Sequence, residues 1–181
     1  ERLAATANQL ANGLIRMGVK RGDRVALILG QRPETVVAHV AIYSVGAVVL
    51  PLSSLFGPEA LEQRLRDAQV RVAIFDDTSA GNVLASLPRC PTLTQLVGID
   101  VTDERVLPWH KLLIRQPTTF KAVTTRADEP AILLYTSGTT GMPKGVMHCF
   151  AAFAWSIAAV RKRLRFDEDS RVLSYLPLSH V

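Results

Sequence analysis

The chain has 181 residues, 48% of them hydrophobic and 20% charged, with a formal net charge of +5. This balance excludes a disordered or fibrous polypeptide and supplies enough apolar material for one domain or a large part of one. A modest positive charge steers small polyanions, nucleic acid and anionic membranes alike, so charge by itself selects no function.

In chain order, Leu3, Ala7, Leu10, Leu14 and Met17 recur at helical spacing and predict an amphipathic helix stopped by Gly18. Gly22-Asp23 then turns the chain into Val25 to Leu29, an apolar run of the kind carried by a strand buried on both faces. A helix follows from about Pro33 to Val45, with proline in its first turn, and then a short strand at Val48 to Leu50. Pro58 opens a third helix in which Leu61, Leu65 and Ala68 share a face and Glu62 stands one turn from Arg66 for an ion pair. Arg71 to Phe75 reads as a strand, Gly81 to Leu87 as a weak helix, and Leu93 to Ile99 as another strand. Strand and helix alternate, and the apolar runs are too continuous for half-exposed strands. The expected fold is therefore α/β, a parallel sheet with flanking helices.

From Val101 to Pro130 the pattern loosens, with only Leu107 to Ile114 suggesting a short helix. This stretch, residues 101–130, is expected to connect a first α/β half (1–100) to a last segment (131–181). That segment reads as a strand at Ala131 to Tyr135, a Gly/Thr/Ser loop, a helix from about Cys149 to Leu164 and a strand near Arg171 to Tyr175. Trp155, Phe150 and Phe153 are expected in the core. Both ends of the chain read as cut. The basic clusters around Lys20, Arg21 and Arg24 and from Arg161 to Arg165 read as solvated surface, and no nucleic-acid partner is expected. Cys90 and Cys149 stand far apart without a CxxC, which is ordinary for a reducing cytosol, so a soluble, cytoplasmic protein is expected. The longest apolar runs, Val36 to Leu50 and Val146 to Val160, fall short of the ~20 residues of a spanning helix. Peripheral membrane contact stays open.

The segment that carries chemistry is Leu134-Tyr135-Thr136-Ser137-Gly138-Thr139-Thr140-Gly141-Met142-Pro143-Lys144-Gly145-Val146. Its glycines permit close backbone approach, Thr136, Ser137, Thr139 and Thr140 add hydroxyl donors, and Lys144 adds positive charge. Delivered by a strand and followed by a helix, such a loop is expected to hold a polyphosphate with the help of a helix amino terminus. It differs from the common phosphate loop GxxxxGK[ST]. Counting from Gly138, Pro143 stands in place of the second glycine and Gly145 in place of the Ser or Thr that would hold magnesium. Nor is it GxGxxG, so a dinucleotide site is not supported.

Thr136 to Gly145 resembles the signature of the adenylate-forming superfamily, which contains acyl-CoA synthetases, luciferases and nonribosomal-peptide adenylation domains; it matches every position of TSGTTGxPKG. The flanks Asp128 to Ile132 and Val146 to His148 are also similar. So are Gly18 to Leu29, Gly46 to Leu52 and Pro58 to Asp67 upstream, and Ser174 to Val181 downstream. Ser53 and Gln31-Arg32 depart from an Asn and an Asn-Ser common at those places.

The resemblance implies an incomplete large amino-terminal AMP-binding domain of a fatty acyl-CoA ligase, with the carboxy-terminal portion of the same enzyme as its missing partner. It implies that Thr136, Ser137, Gly138, Thr139, Thr140, Gly141, Lys144 and Gly145 grip the β- and γ-phosphates of MgATP. Lys144 and Thr139 would act catalytically by neutralising the departing pyrophosphate, and His180 would lie by the acyl site. Read from the residues alone, His180 fits a packed histidine equally well, and His148 reads as structural. A carboxylic acid, medium- or long-chain by the wording of Ser174 to Val181, would attack the α-phosphorus, and coenzyme A would take the acyl group. The implied cofactors are ATP, Mg2+ and coenzyme A as co-substrate; no metal ligand is assigned. Adenine, ribose, magnesium, hinge and catalytic-lysine determinants are expected beyond Val181, so residues 1–181 alone are expected to be inactive. Two alternatives stand: a module that loads a carrier protein, and a nucleotide-binding piece without catalysis.

Overall fold

The stripe at the start of the chain becomes helix α1, Arg2–Arg16, in the computed structural model, which describes residues 1–136, 143–164, 167, 169–171, 173 and 178. Ala7, Leu10, Ala11 and Leu14 are its buried face. Gly18 follows with φ +81°, a left-handed conformation that glycine adopts without steric cost and that ends the helix. The chain continues through β1 (Arg24–Ile28), α2 (Pro33–Ser44), β2 (Val48–Pro51), α3 (Pro58–Asp67), β3 (Val72–Asp76) and α4 (Asp77–Ser86). A 3-10 turn at Leu87–Arg89, β4 (Gln95–Ile99), β5 (Leu107–Pro108), α5 (Trp109–Leu113), β6 (Pro130–Thr136), β7 (Lys144–Cys149) and α6 (Phe150–Arg163) complete it. Proline stands in the first turn of both α2 and α3, where its missing N–H has no helical partner to lose. Arg66 Nη1 and Glu62 Oε1 of α3 approach to 3.5 Å.

The seven strands form one sheet in the order β5-β4-β3-β1-β2-β6-β7. Every neighbouring pair is parallel except β6 and β7. The expected parallel α/β sheet is thus present, with one antiparallel strand at its edge. Alternate residues of the strands feed two cores. Val25 and Leu27 of β1 and Ile74 of β3 face α1, α2 and α5, whereas Ala26, Ile28 and Phe75 face α3 and α4. Both faces being covered, the central strands need no polar side, which is why their sequence reads as unbroken Val, Ile and Leu.

Residues 114–129 cross the α1 and α2 side to bring β6 beside β2. Asn8 Nδ2 donates to the Thr118 carbonyl at 2.7 Å, Asn12 Nδ2 to Thr119 at 3.0 Å, and Val123 N to Ser44 at 2.9 Å. Arg21 closes the crossing on Glu129 at 2.8 Å.

Three features differ from the sequence reading. Leu107 to Ile114 divides into β5 and α5, because Leu107 and Pro108 pair with Val97 and Gly98 before the helix starts. A strand, β7, stands between the Gly/Thr/Ser loop and α6. Trp155, expected in the core, is 75% exposed, while Phe153 of the same helix packs against the core. The strand expected near Arg171 to Tyr175 involves Val172, Ser174 and Tyr175, which lie outside the described residues. Among the described residues no helix is long and apolar enough to cross a membrane.

Candidate functional site

The two ends of the Thr136 to Gly145 segment face each other. Thr136 is the last residue of β6, Lys144 the first of β7, and the two are register partners in the antiparallel ladder; both are exposed. The segment therefore closes a hairpin at the carboxyl end of β6. In a sheet of this type the carboxyl ends of the parallel strands form the edge where ligands bind. Beside Thr136, the exit of β2 supplies Pro51, Leu52, Ser53 and Phe56, which with Leu134 and Tyr135 line a pocket of about 180 Å³. Ser137, Gly138, Thr139, Thr140, Gly141 and His180 lie outside the described residues. Leu178 reaches the same edge of the sheet, its N–H donating to Gln31 Oε1 at 3.0 Å.

The expectation that a helix amino terminus faces the bound anion is overturned. α6 begins at the far end of β7, where Cys149 pairs with Pro130, six strand residues and so roughly 20 Å from the hairpin tip. Its first amides are also occupied, Phe150 N donating to the Glu129 carbonyl at 3.0 Å and Ala151 N to Ala127 at 2.9 Å. His148 stands opposite Ile132, four residues beyond Lys144 along β7.

Side chains on the α3 face brace the hairpin. Tyr135, next to Thr136, donates its hydroxyl to the Asp67 carboxylate at the end of α3. Burial, and then that bond, push the Tyr135 hydroxyl above the ordinary phenol range, which keeps it a donor. The Arg64 guanidinium lies 4.3 Å from the ring centre of Phe56 and 5.7 Å from that of Tyr135. Across the ladder Gly145 leaves room for that ring: a Cβ built there would stand 3.5 Å from Tyr135 Cζ and 3.0 Å from Leu133 Cδ1.

Reading the sequence alone gives no role of their own to Phe56, Arg64, Asp67 and Tyr135. One signal was available: Asp67 is an acid in the last turn of a helix, where the macrodipole disfavours negative charge, so it needs a partner elsewhere. Among the described residues no group of three or more His, Cys, Asp or Glu side chains gathers as a metal site.

The family model described as AMP-binding enzyme matches residues 1–181. The acetyl-coenzyme A synthetase of Magnetococcus marinus is 36% identical over 163 residues, 81% of this chain and 25% of that protein. Two solved structures share the fold. One is the anthranilate CoA ligase AuaEII in complex with anthranoyl-AMP, with TM-score 0.83 and 29% identity over 86% of this chain and 30% of that one. The other is the inhibitor-bound N-terminal domain of FACL13 from Mycobacterium tuberculosis, with TM-score 0.88 and 26% identity over 98% of this chain and 44% of that one. The chain spans about a quarter of the length of the curated relatives it matches.

Proposed function

Because the chain belongs to the AMP-binding enzyme family, we propose that the intact protein is an ATP-dependent acid–thiol ligase and that the hairpin tip holds the pyrophosphate it releases. A carboxylate oxygen attacks the α-phosphorus of ATP, and the bond to pyrophosphate breaks with its electrons leaving on that group. The coenzyme A thiol then attacks the acyl carbon and AMP departs. The observation that carries this reading is the pairing of Thr136 with Lys144, which sets a hydroxyl and an ammonium group side by side at the carboxyl edge of the parallel strands. Donors fixed where negative charge accumulates lower the barrier because they need no reorganisation during the step. Magnesium would accompany ATP and supply charge neutralisation to its phosphates, and no described residue is assigned to hold it. Free Cys90 and Cys149 suit a reducing compartment, and we place the protein in the cytoplasm.

The acid is a carboxylate, and two features bear on its chain length. The wording of Ser174 to Val181 supports a medium- or long-chain fatty acid, whereas relatives bearing the name acetyl-coenzyme A synthetase support a short one. Trapping of acyl-AMP as hydroxamate across acids of two to sixteen carbons decides between them. In that assay Lys144→Ala and Thr139→Ala each slow adenylation by ~10²-fold, as single lost transition-state donors do. Unchanged ATP–pyrophosphate exchange in both variants refutes the role given to the loop.

A further inference from the structure

The ladder that should hold the tip of β6 to the rest of the sheet is short. Pairing of β6 with β2 is recorded at Val49 and Ile132, and Pro51, two residues further along β2, has no N–H with which to extend it. On its other side β6 has only β7, an edge strand whose residues from Lys144 to His148 are all exposed. Residues 133–136 are therefore held by the β7 ladder alone among the described strand pairings, and side chains tie that two-stranded hairpin to the rest of the described fold.

Those side chains come from two elements distant in sequence. Tyr135 reaches Asp67 of α3 through its hydroxyl, and its ring covers the backbone of Gly145 on β7. Arg64, one turn earlier on α3, donates from Nη1 to the Ala60 carbonyl at 2.7 Å, which fixes its guanidinium between Phe56 and Tyr135. Its buried Nε has no hydrogen-bond partner among the described residues, where the two rings and the Ala60 bond hold the guanidinium. Phe56 belongs to the turn after β2, pinned by its N–H to the Ser53 carbonyl at 3.2 Å. One cation thus bridges the β2–α3 turn and the base of the hairpin, the two walls of the pocket beside Thr136.

We propose that Tyr135, Asp67, Arg64 and Phe56 form a latch that fixes the base of the phosphate hairpin against α3, making them positioning residues for the nucleotide. The proposal rests on the ligase reading for its ligand, not for its geometry. None of the four is assigned to the reacting atoms; they act through the placement of Thr136 and Lys144. Displacing a positioned donor by even an ångström is enough to weaken binding or rate steeply. Phosphate placement, and not the acid, is what the latch controls.

The test uses the intact protein with Tyr135→Phe, Asp67→Ala, their double variant, Arg64→Lys and Arg64→Met. Each single change at Tyr135 or Asp67 raises KM for MgATP about tenfold, the factor for losing one hydrogen bond to a charged group. The acid's KM stays within about twofold, and the double variant is no worse than either single one, because both remove the same bond. Arg64→Lys keeps the charge and loses the planar stacking, so it falls between wild type and Arg64→Met. Amide hydrogen exchange is read in parallel on peptides covering residues 133–146 and on α1 as control. Faster exchange confined to 133–146 in the variants supports the latch. Unchanged exchange there, additive effects of the two substitutions, or equal rises in both KM values overturn it. If the wild-type protein forms no acyl-AMP while exchange still responds, the ligase reading fails and the latch stands as a brace of the hairpin only.

Discussion

A side chain at Gly145 tests the hairpin geometry directly. A Cβ there would stand 3.5 and 3.6 Å from Tyr135 Cζ and Cε1, ordinary van der Waals separations, and 3.0 Å from Leu133 Cδ1, the free end of a flexible side chain. Gly145 does not hold a left-handed φ, so an L residue fits its backbone. Gly145→Ala asks Leu133 to give by a few tenths of an ångström and in return restricts the unfolded chain, a gain of about 0.4–1 kcal/mol. The two nearly cancel. Gly145→Val adds two Cγ atoms on a stiff β-branched stem, reaching about 1.5 Å further toward Leu133 and the ring. Overpacking of this kind costs about 1–3 kcal/mol, and its relief is to push Tyr135 away from Asp67. Thermal unfolding and KM for MgATP, measured together on the intact protein, separate the cases. Alanine leaves both near wild type; valine lowers the unfolding midpoint by several degrees and raises KM as Tyr135→Phe does. If alanine proves as damaging as valine, or valine harmless, the contact geometry reasoned from here is wrong.

Two further perturbations probe neighbouring elements. Burial holds His39 of α2 down at about 4, with Nδ1 3.2 Å from the Tyr43 hydroxyl and Nε2 without a partner. The unfolded chain takes up this proton first, so the contribution is intact above pH 6.5 and is lost as pH falls toward about 4, by at most about 3 kcal/mol. His39→Gln should flatten the fall of the unfolding midpoint between pH 6.5 and 4.5, and an unaltered slope counts against the assignment. At the other end of β7, Cys149→Asp places a negative charge at the start of α6, a favourable cap position, and should leave KM for MgATP within about twofold. A tenfold change would restore the helix terminus as part of the phosphate site.

How much of this could be read from the sequence follows from where each signal originates. β1, β2, β3 and β4 are legible to within a residue or two, because strands covered on both faces must be apolar throughout and their helices start at proline or stop at glycine. Lys144 to Cys149 gave no such signal. Five of the six residues of β7 are exposed, so its hydrophobic pattern has no buried face to record, and it is a strand only because β6 supplies a ladder. In α6 the apolar residues suggested core, and among the described residues Phe153 packs against it while none of the helix is fully buried. The bond from Tyr135 to Asp67 joins positions 68 apart in sequence, and only the acid at the carboxyl end of α3 hinted at it. Tertiary partners are invisible to local pattern unless they violate a local rule.

Under the proposed function, the hairpin changes how a polyphosphate is held. A loop that opens a helix borrows that helix's free amides, but here the first amides of α6 are occupied by Ala127 and Glu129 and point away from the tip. The cationic charge among the described residues of the segment is then the Lys144 ammonium, whose direction is set by strand register. Side chains alternate with a period of two along a strand, so a slip of one residue would turn Lys144 to the opposite face. Gly145 guards against that slip. The position facing Tyr135 takes glycine or at most a single Cβ, and a one-residue shift would force the longer side chain of Lys144 or Val146 against the ring. Gly145, one of the signature glycines that permit close backbone approach, thus favours this register, with Asp67 and Arg64 keeping the ring in place.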